Sequence, residues 1–155
     1  MLDSLRNFFA EFASGSADLA RFQDNDYRLA AAALLIHVVT VDGRETADEH
    51  AKLRQVLKAG FALDDAATEA LIVAAIAADR DAIDLYQFTS LLNRALDEAG
   101  RRRIVEMMWQ LVYADGRVSE LEDNLIWRAA DLLGLTSRER IELRQRVAGT
   151  KADDQ

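Results

Sequence analysis

The sequence predicts an all-α fold, a single-domain and internally duplicated bundle of about seven or eight helices. Three observations lead to this prediction. The 155 residues include no proline and only seven glycines, so little in the chain interrupts a helix. Apolar residues recur at helical spacing along most of the chain. A short turn motif occurs twice, at equivalent places in the two halves.

Composition excludes several classes of protein. The chain has no cysteine, which rules out disulfides, thiolate metal sites and cysteine nucleophiles. Its net charge of −8, from 27 acidic and 19 basic residues, argues against nucleic acid as a partner. No apolar run reaches the roughly 18 residues of a membrane span, and the N-terminus lacks the features of a signal peptide. We therefore expect a cytoplasmic protein without a membrane span.

Residues 1–26 predict an N-terminal amphipathic helix followed by a loop. The helix covers residues 2–13, and Phe8, Phe9 and Phe12 lie on its apolar face. Such a face needs a partner. Because the polar face is not basic, we expect it to pack on a protein surface and not on a membrane.

The main domain is predicted at residues 27–147, in two halves of about 27–79 and 84–147 joined by a polar junction. Residues 148–155 are expected to form a disordered tail. In the first half, helices are predicted at about 27–41 and 47–59, and a third begins after a cap at Asp64 or Asp65. In the second half, helices are predicted from Leu85 to Leu96, at about 98–114 and along the apolar stripe from Leu125 to Leu133. A last helix is predicted after a capping box at Thr136.

The repeated motif has the pattern D-G-R-x-[ST]-x-x-E, and its copies at 42–49 and 115–122 lie 73 positions apart. The glycine is expected to end a helix, because only glycine enters the left-handed conformation cheaply. The hydroxyl residue, Thr46 or Ser119, and the closing glutamate then form the capping box of the next helix. Each copy therefore predicts a helix, a tight turn and a second helix.

The aspartates that begin the motif, Asp42 and Asp115, are not explained by this geometry. A carboxylate in the last turn of a helix faces the negative end of the helix dipole, which costs up to about 1 kcal/mol. Either Arg44 and Arg117 compensate this charge in structural ion pairs, or a bound cation does. Oxygen ligands suit Ca²⁺, Mg²⁺ or Mn²⁺ better than Zn²⁺. Such a cation is expected to be held by Asp42 and Asp115, with help from neighbouring acids. The candidate helpers are Glu49 and Glu122, or Asp48, Asp123, Glu45 and Glu120.

Two other polar features are expected to be structural. His37 lies on an apolar helix, where a single histidine is more often a satisfied core or rim residue than a ligand. The arginines at 101–103 are expected to begin a long helix and to pair with nearby acids.

The repeated helix–turn–helix unit, its segment ADGRVSELE and the step Gly134-Leu135-Thr136 resemble the tellurite-resistance protein B (TerB) family. The resemblance covers about residues 27–147. It implies an all-helical, duplicated cytoplasmic domain that is linked to tellurite or chemical stress and binds metal through its acids. At the matching positions of this sequence, the metal ligands that the resemblance implies are Asp42, Glu49, Asp115 and Glu122. A related domain occurs in a membrane-anchored J-domain co-chaperone. The two copies differ where Val118 replaces Glu45, so any ion shell would be asymmetric.

Two classes of function therefore stay open. The first is a non-enzymatic stress-response module that binds a divalent cation. The second is a scaffold or co-chaperone-like module whose turns are structural and whose partners are proteins of stress-response or membrane-associated complexes. An enzyme is not expected, because the chain has no glycine-rich phosphate loop and no histidine in a catalytic motif. The sequence does not specify an oligomeric state.

Overall fold

The computed structural model describes the backbone of residues 22, 26–41, 43, 47–115 and 117–153, and their side chains except those of 115 and 150–153. Within this part the chain is all-α, which confirms the predicted single-domain helical bundle. The predicted helix over 2–13 lies outside the described residues. The elements are α1 (Tyr27–Thr40), α2 (Ala47–Gly60), α3 (Asp65–Asp81), α4 (Tyr86–Ala95), α5 (Glu98–Val112), the 3₁₀ turn η1 (Tyr113–Asp115), α6 (Glu120–Leu132) and α7 (Ser137–Asp153).

Helix α1 lies at the centre of the bundle. Ten of its 14 residues are buried, so it shows no single apolar face. Such a helix is typically surrounded by others, and α1 contacts the five helices from α2 to α6. The alanines at positions 30–33 are all buried, and their small side chains let neighbouring helices approach closely.

Helix α5 is a second centre. It contacts α1, α2, α6, α7 and η1, and it buries Met107, Met108 and Trp109 among other apolar residues. These side chains are core residues, as their helical spacing predicts. The two helices that precede the repeated turn, α1 and α5, therefore contact each other in the core. Among the helices in the described ranges, none is both long enough and apolar enough to cross a bilayer.

Local side-chain caps begin several helices. The Asp26 carboxylate accepts a hydrogen bond from the Arg28 backbone N–H at 2.9 Å, and Asp64 caps α3 through the Ala67 N–H at 2.7 Å. At the start of α7, Thr136 and Glu139 form the predicted reciprocal capping box, with bonds of 3.1 and 3.2 Å.

Two helix ends differ in detail from the expectation. Helix α2 ends at Gly60, but the left-handed residue is Ala62, with φ of 53°. Gly60 provides space instead, because a Cβ there would lie 2.8 Å from Cε of Met107. Helix α7 continues to Asp153, whereas a disordered tail is predicted from residue 148. Its Gly149 stays helical, at a cost of about 1 kcal/mol relative to alanine.

Candidate functional site

The second copy of the motif is described almost completely. Helix α5 passes into η1, and α6 begins at Glu120 after an N-cap at Ser119. The Ser119 hydroxyl accepts a hydrogen bond from the Glu122 backbone N–H at 3.1 Å, and the Glu122 carboxylate accepts one from the Ser119 N–H at 3.0 Å. The predicted capping box is therefore confirmed. Glu122 is only 4% exposed, and the dipole of α6 favours its negative charge.

The first copy of the motif is described only in part. Gly43 has φ of 72°, which confirms the predicted left-handed glycine after α1. Glu49 lies in the first turn of α2, equivalent to Glu122, and is 5% exposed. Asp42 and residues 44–46 lie outside the described residues. The capping box of the first copy and the pairing of Arg44 therefore stay predictions.

The second turn packs against the helix that follows the first turn. The 3₁₀ turn η1 contacts α2. Asp48 of α2 and both Tyr113 and Ala114 of η1 line one groove of about 1170 Å³, which α5 and α7 complete. Elements that flank both turns thus share one surface, as a site built from both turns would require.

The four predicted metal ligands are described unequally. Glu49 and Glu122 are buried carboxylates, while Asp42 and the side chain of Asp115 lie outside the description. Among the side chains that are described, no three histidines or acids are grouped closely enough to hold a metal ion. The carboxylates of Glu49 and Glu122 fit the oxygen chemistry of Ca²⁺, Mg²⁺ and Mn²⁺. Metal binding by the four acids stays a prediction.

An arginine that the sequence does not mark contacts residues on both sides of the second turn. Arg144 of α7 donates through Nε to Tyr113 Oη at 2.9 Å and through Nη1 to Asp123 Oδ1 at 2.8 Å. The hydrogen bond to Tyr113 outweighs the effect of burial and, with the charge of Asp123, raises the pKa of Arg144. No local motif marks Arg144, because it lies 21 residues beyond Asp123 and 31 beyond Tyr113.

His37 is a rim residue with a specific partner. Its Nδ1 lies 2.8 Å from Asp79 Oδ1, a contact that joins α1 to α3. This hydrogen bond raises the pKa of His37 against the opposing effect of burial. His37 therefore has the structural environment expected for a single histidine on an apolar helix.

Arg102, near the start of α5, joins this helix to α7. Arg102 Nη2 lies 3.3 Å from a Glu98 carboxylate oxygen and 3.1 Å from one of Glu139. Arg101 donates through Nη1 to the Leu96 carbonyl at 3.0 Å. The predicted pairing with nearby acids is confirmed for Arg102.

Comparison with known proteins identifies the family. The family model described as tellurite resistance protein TerB matches residues 28–145. No curated protein and no solved structure matched the chain. Because the family model covers more than half of the chain and both copies of the turn, the chain belongs to the TerB family.

Proposed function

We propose that this protein is a non-enzymatic TerB-like module of the tellurite or chemical stress response that binds a divalent cation through its two D-G-R-x-[ST]-x-x-E turns. The cation is Ca²⁺, Mg²⁺ or Mn²⁺, since the available ligands are carboxylate oxygens. Membership of the TerB family supports the link to stress. The ligands in this proposal are Asp42, Glu49, Asp115 and Glu122.

The contact between η1 and α2 is the observation on which the cation proposal depends. Ligands 73 positions apart can bind one ion only if the two turns approach each other. The turn η1 ends at Asp115, and α2 begins two residues before Glu49. Packing of η1 against α2 therefore supports a site shared by the two turns.

The helix dipoles support a cation at the same place. Asp42 follows α1, which ends at Thr40, and Asp115 follows α5, which ends at Val112. The C-terminal end of a helix carries a partial negative charge, so an aspartate there is unfavourable while a cation there is favourable. One ion beside both helix ends would offset the charge of both aspartates.

Calorimetric titration of the metal-free protein with Ca²⁺, Mg²⁺ and Mn²⁺ tests this proposal, with Zn²⁺ as a chemically unsuited comparison. The test variant carries Asp42→Asn and Asp115→Asn. The matched control carries Asp81→Asn and Asp131→Asn, which change the same charge at two exposed positions on α3 and α6. We expect saturable binding of a hard cation by the wild type and the control, and its loss in the test variant.

The same experiment distinguishes the alternative function. If no cation binds and the test variant is clearly less stable than the control, the aspartates are structural partners of arginines. The protein would then be better explained as a protein-interaction module. Protein partners and a cytoplasmic location stay predictions in either case.

A further inference from the structure

We infer that Arg144 is a positioning residue, which fixes the second turn through hydrogen bonds at both of its ends. The same pairing keeps Asp123 from binding the cation. This inference rests on the proposed cation site. It concerns a residue outside the repeated motif, on a helix that follows both copies.

The two hydrogen bonds of Arg144 bracket the turn. Tyr113 is the first residue of η1, and Asp123 lies in the first turn of α6. Asp115 and Glu122 lie between them in the sequence. Because one planar guanidinium donates to both ends, it fixes the separation of those ends more firmly than two independent contacts would.

The guanidinium itself is held by a buried ring. Its Cζ lies 4.9 Å from the centroid of the Trp109 ring, and Trp109 is 0% exposed. The rings of Trp109 and Tyr113 lie 6.1 Å apart, so the ring and the phenol support the same arginine. The cation–π contact between the guanidinium and the Trp109 ring, in a partly buried site, further restricts the position of the Arg144 side chain.

Pairing with Arg144 removes Asp123 from the acids that a cation can use. A guanidinium 2.8 Å from a carboxylate oxygen competes with a metal ion for that carboxylate. The first copy agrees with this assignment, because the position equivalent to Asp123 is His50, while the glutamates at 49 and 122 match. Thr40 replaces Tyr113 in the first copy, so these two partners of Arg144 are particular to the second turn.

Titration of the full chain with MnCl₂ and CaCl₂ tests the positioning role. Arg144→Gln should raise the Kd by about tenfold, in the range found for residues that orient metal ligands. Arg144→Lys should raise the Kd less, since lysine keeps the positive charge but lacks the planar guanidinium that donates to two partners at once. The control is Arg138→Gln on the same helix, which loses the same charge from an exposed pair with Glu142 and should keep the wild-type Kd. A wild-type Kd in Arg144→Gln would overturn the inference.

A double-variant cycle tests whether Asp123 is withheld. Asp123→Asn alone should weaken binding, because it removes one arm of the clamp. In the Arg144→Gln background the carboxylate of Asp123 is released to the cation, so Asp123→Asn should cause a further loss of affinity. No further loss in that background would show that the cation does not use Asp123 even when it is released, and would contradict the withholding.

Hydrogen exchange of the metal-free proteins separates this inference from the cation proposal. Amides of residues 113–123 should exchange faster in Arg144→Gln than in Arg138→Gln, while those of α1 should not differ between the two. Equal exchange at 113–123 would refute the positioning role even if cations bind. If the wild type binds neither cation, the proposed function and the role of Arg144 toward a cation both fail, and exchange alone decides whether Arg144 orders the turn.

Discussion

The contact between His37 and Asp79 makes stability depend on pH in a defined direction. The hydrogen bond raises the pKa of His37 in the folded state above its ordinary value of 6.5. The folded protein therefore holds this proton more tightly than the unfolded chain does. The stabilisation is complete below the unfolded-state pKa and is lost as pH rises through the higher folded-state pKa.

Replacement of His37 by glutamine should remove this part of the pH dependence. Urea unfolding would be followed from about pH 5.5 to about pH 8.5, a range that includes the titration of histidine. The stability of the wild type relative to His37→Gln should fall as pH rises. Asp79→Asn should behave like His37→Gln, whereas Asp81→Asn, an exposed acid on the same helix, should keep the wild-type profile. A constant difference between wild type and His37→Gln would contradict the assignment.

Residue environments could be predicted only where local chemistry decides them. A single histidine on an apolar helix predicts a satisfied core or rim residue, and the contact with Asp79 shows a satisfied rim residue. Its partner could not be named from the sequence, since the two residues are 42 positions apart. The role of Arg144 could not be predicted for the same reason, because nothing near it in the sequence specifies Tyr113 or Asp123 as its partners.

The N-terminal ends of helices could be predicted well, because a capping residue and the N–H groups it caps are close in sequence. The reciprocal bonds of Ser119 with Glu122 and of Thr136 with Glu139 each join residues three positions apart. The end of α2 was less predictable. A glycine marks the last helical residue, but an alanine two positions later takes the left-handed conformation. Tertiary contact with Met107 explains the glycine, and such contacts are not visible in a local pattern.

The ends of α2 and α6 permit a matched test of backbone strain. At each end the N–H beyond the left-handed residue bonds five residues back, from Leu63 to Lys58 and from Leu135 to Ala130, both at 3.0 Å. The left-handed residue is Ala62 after α2 and Gly134 after α6. Because a Cβ is unfavourable there, Ala62→Gly should raise the free energy of unfolding by about 0.5–1 kcal/mol.

The reverse change at the other end is the control. Gly134→Ala should lower the free energy of unfolding by about 1 kcal/mol. No atom lies within 4 Å of the added Cβ, so a steric clash would not contribute to this change. Both values come from denaturant unfolding at one pH. Destabilisation by Ala62→Gly would show that the helix end does not carry the strain that its φ indicates.

At the scale of the whole molecule, fold class was predictable and helix arrangement was not. Absence of proline, helical periodicity and the repeated motif were enough for an all-α duplicated bundle. The apolar run before the first turn indicated a buried helix, and α1 is that helix. The packing of η1 against α2 depends on crossing geometry that periodicity does not contain. The proposed site is limited in the same way, because its ligands come from both halves.

If α1 and α5 form one core, the two halves should unfold together. Leu35 of α1 and Leu111 of α5 are both 0% exposed, so alanine at either position should cost about 2–5 kcal/mol. Ile83→Ala, at a residue 96% exposed, should change stability by less than about 0.5 kcal/mol. Far-ultraviolet circular dichroism during urea unfolding should show one transition in all three variants, shifted only in the two core variants. In a shared core, loss of either side chain destabilises the whole bundle and shifts its single transition. Two transitions, of which each core variant shifts only one, would mean that the halves are separate folding units.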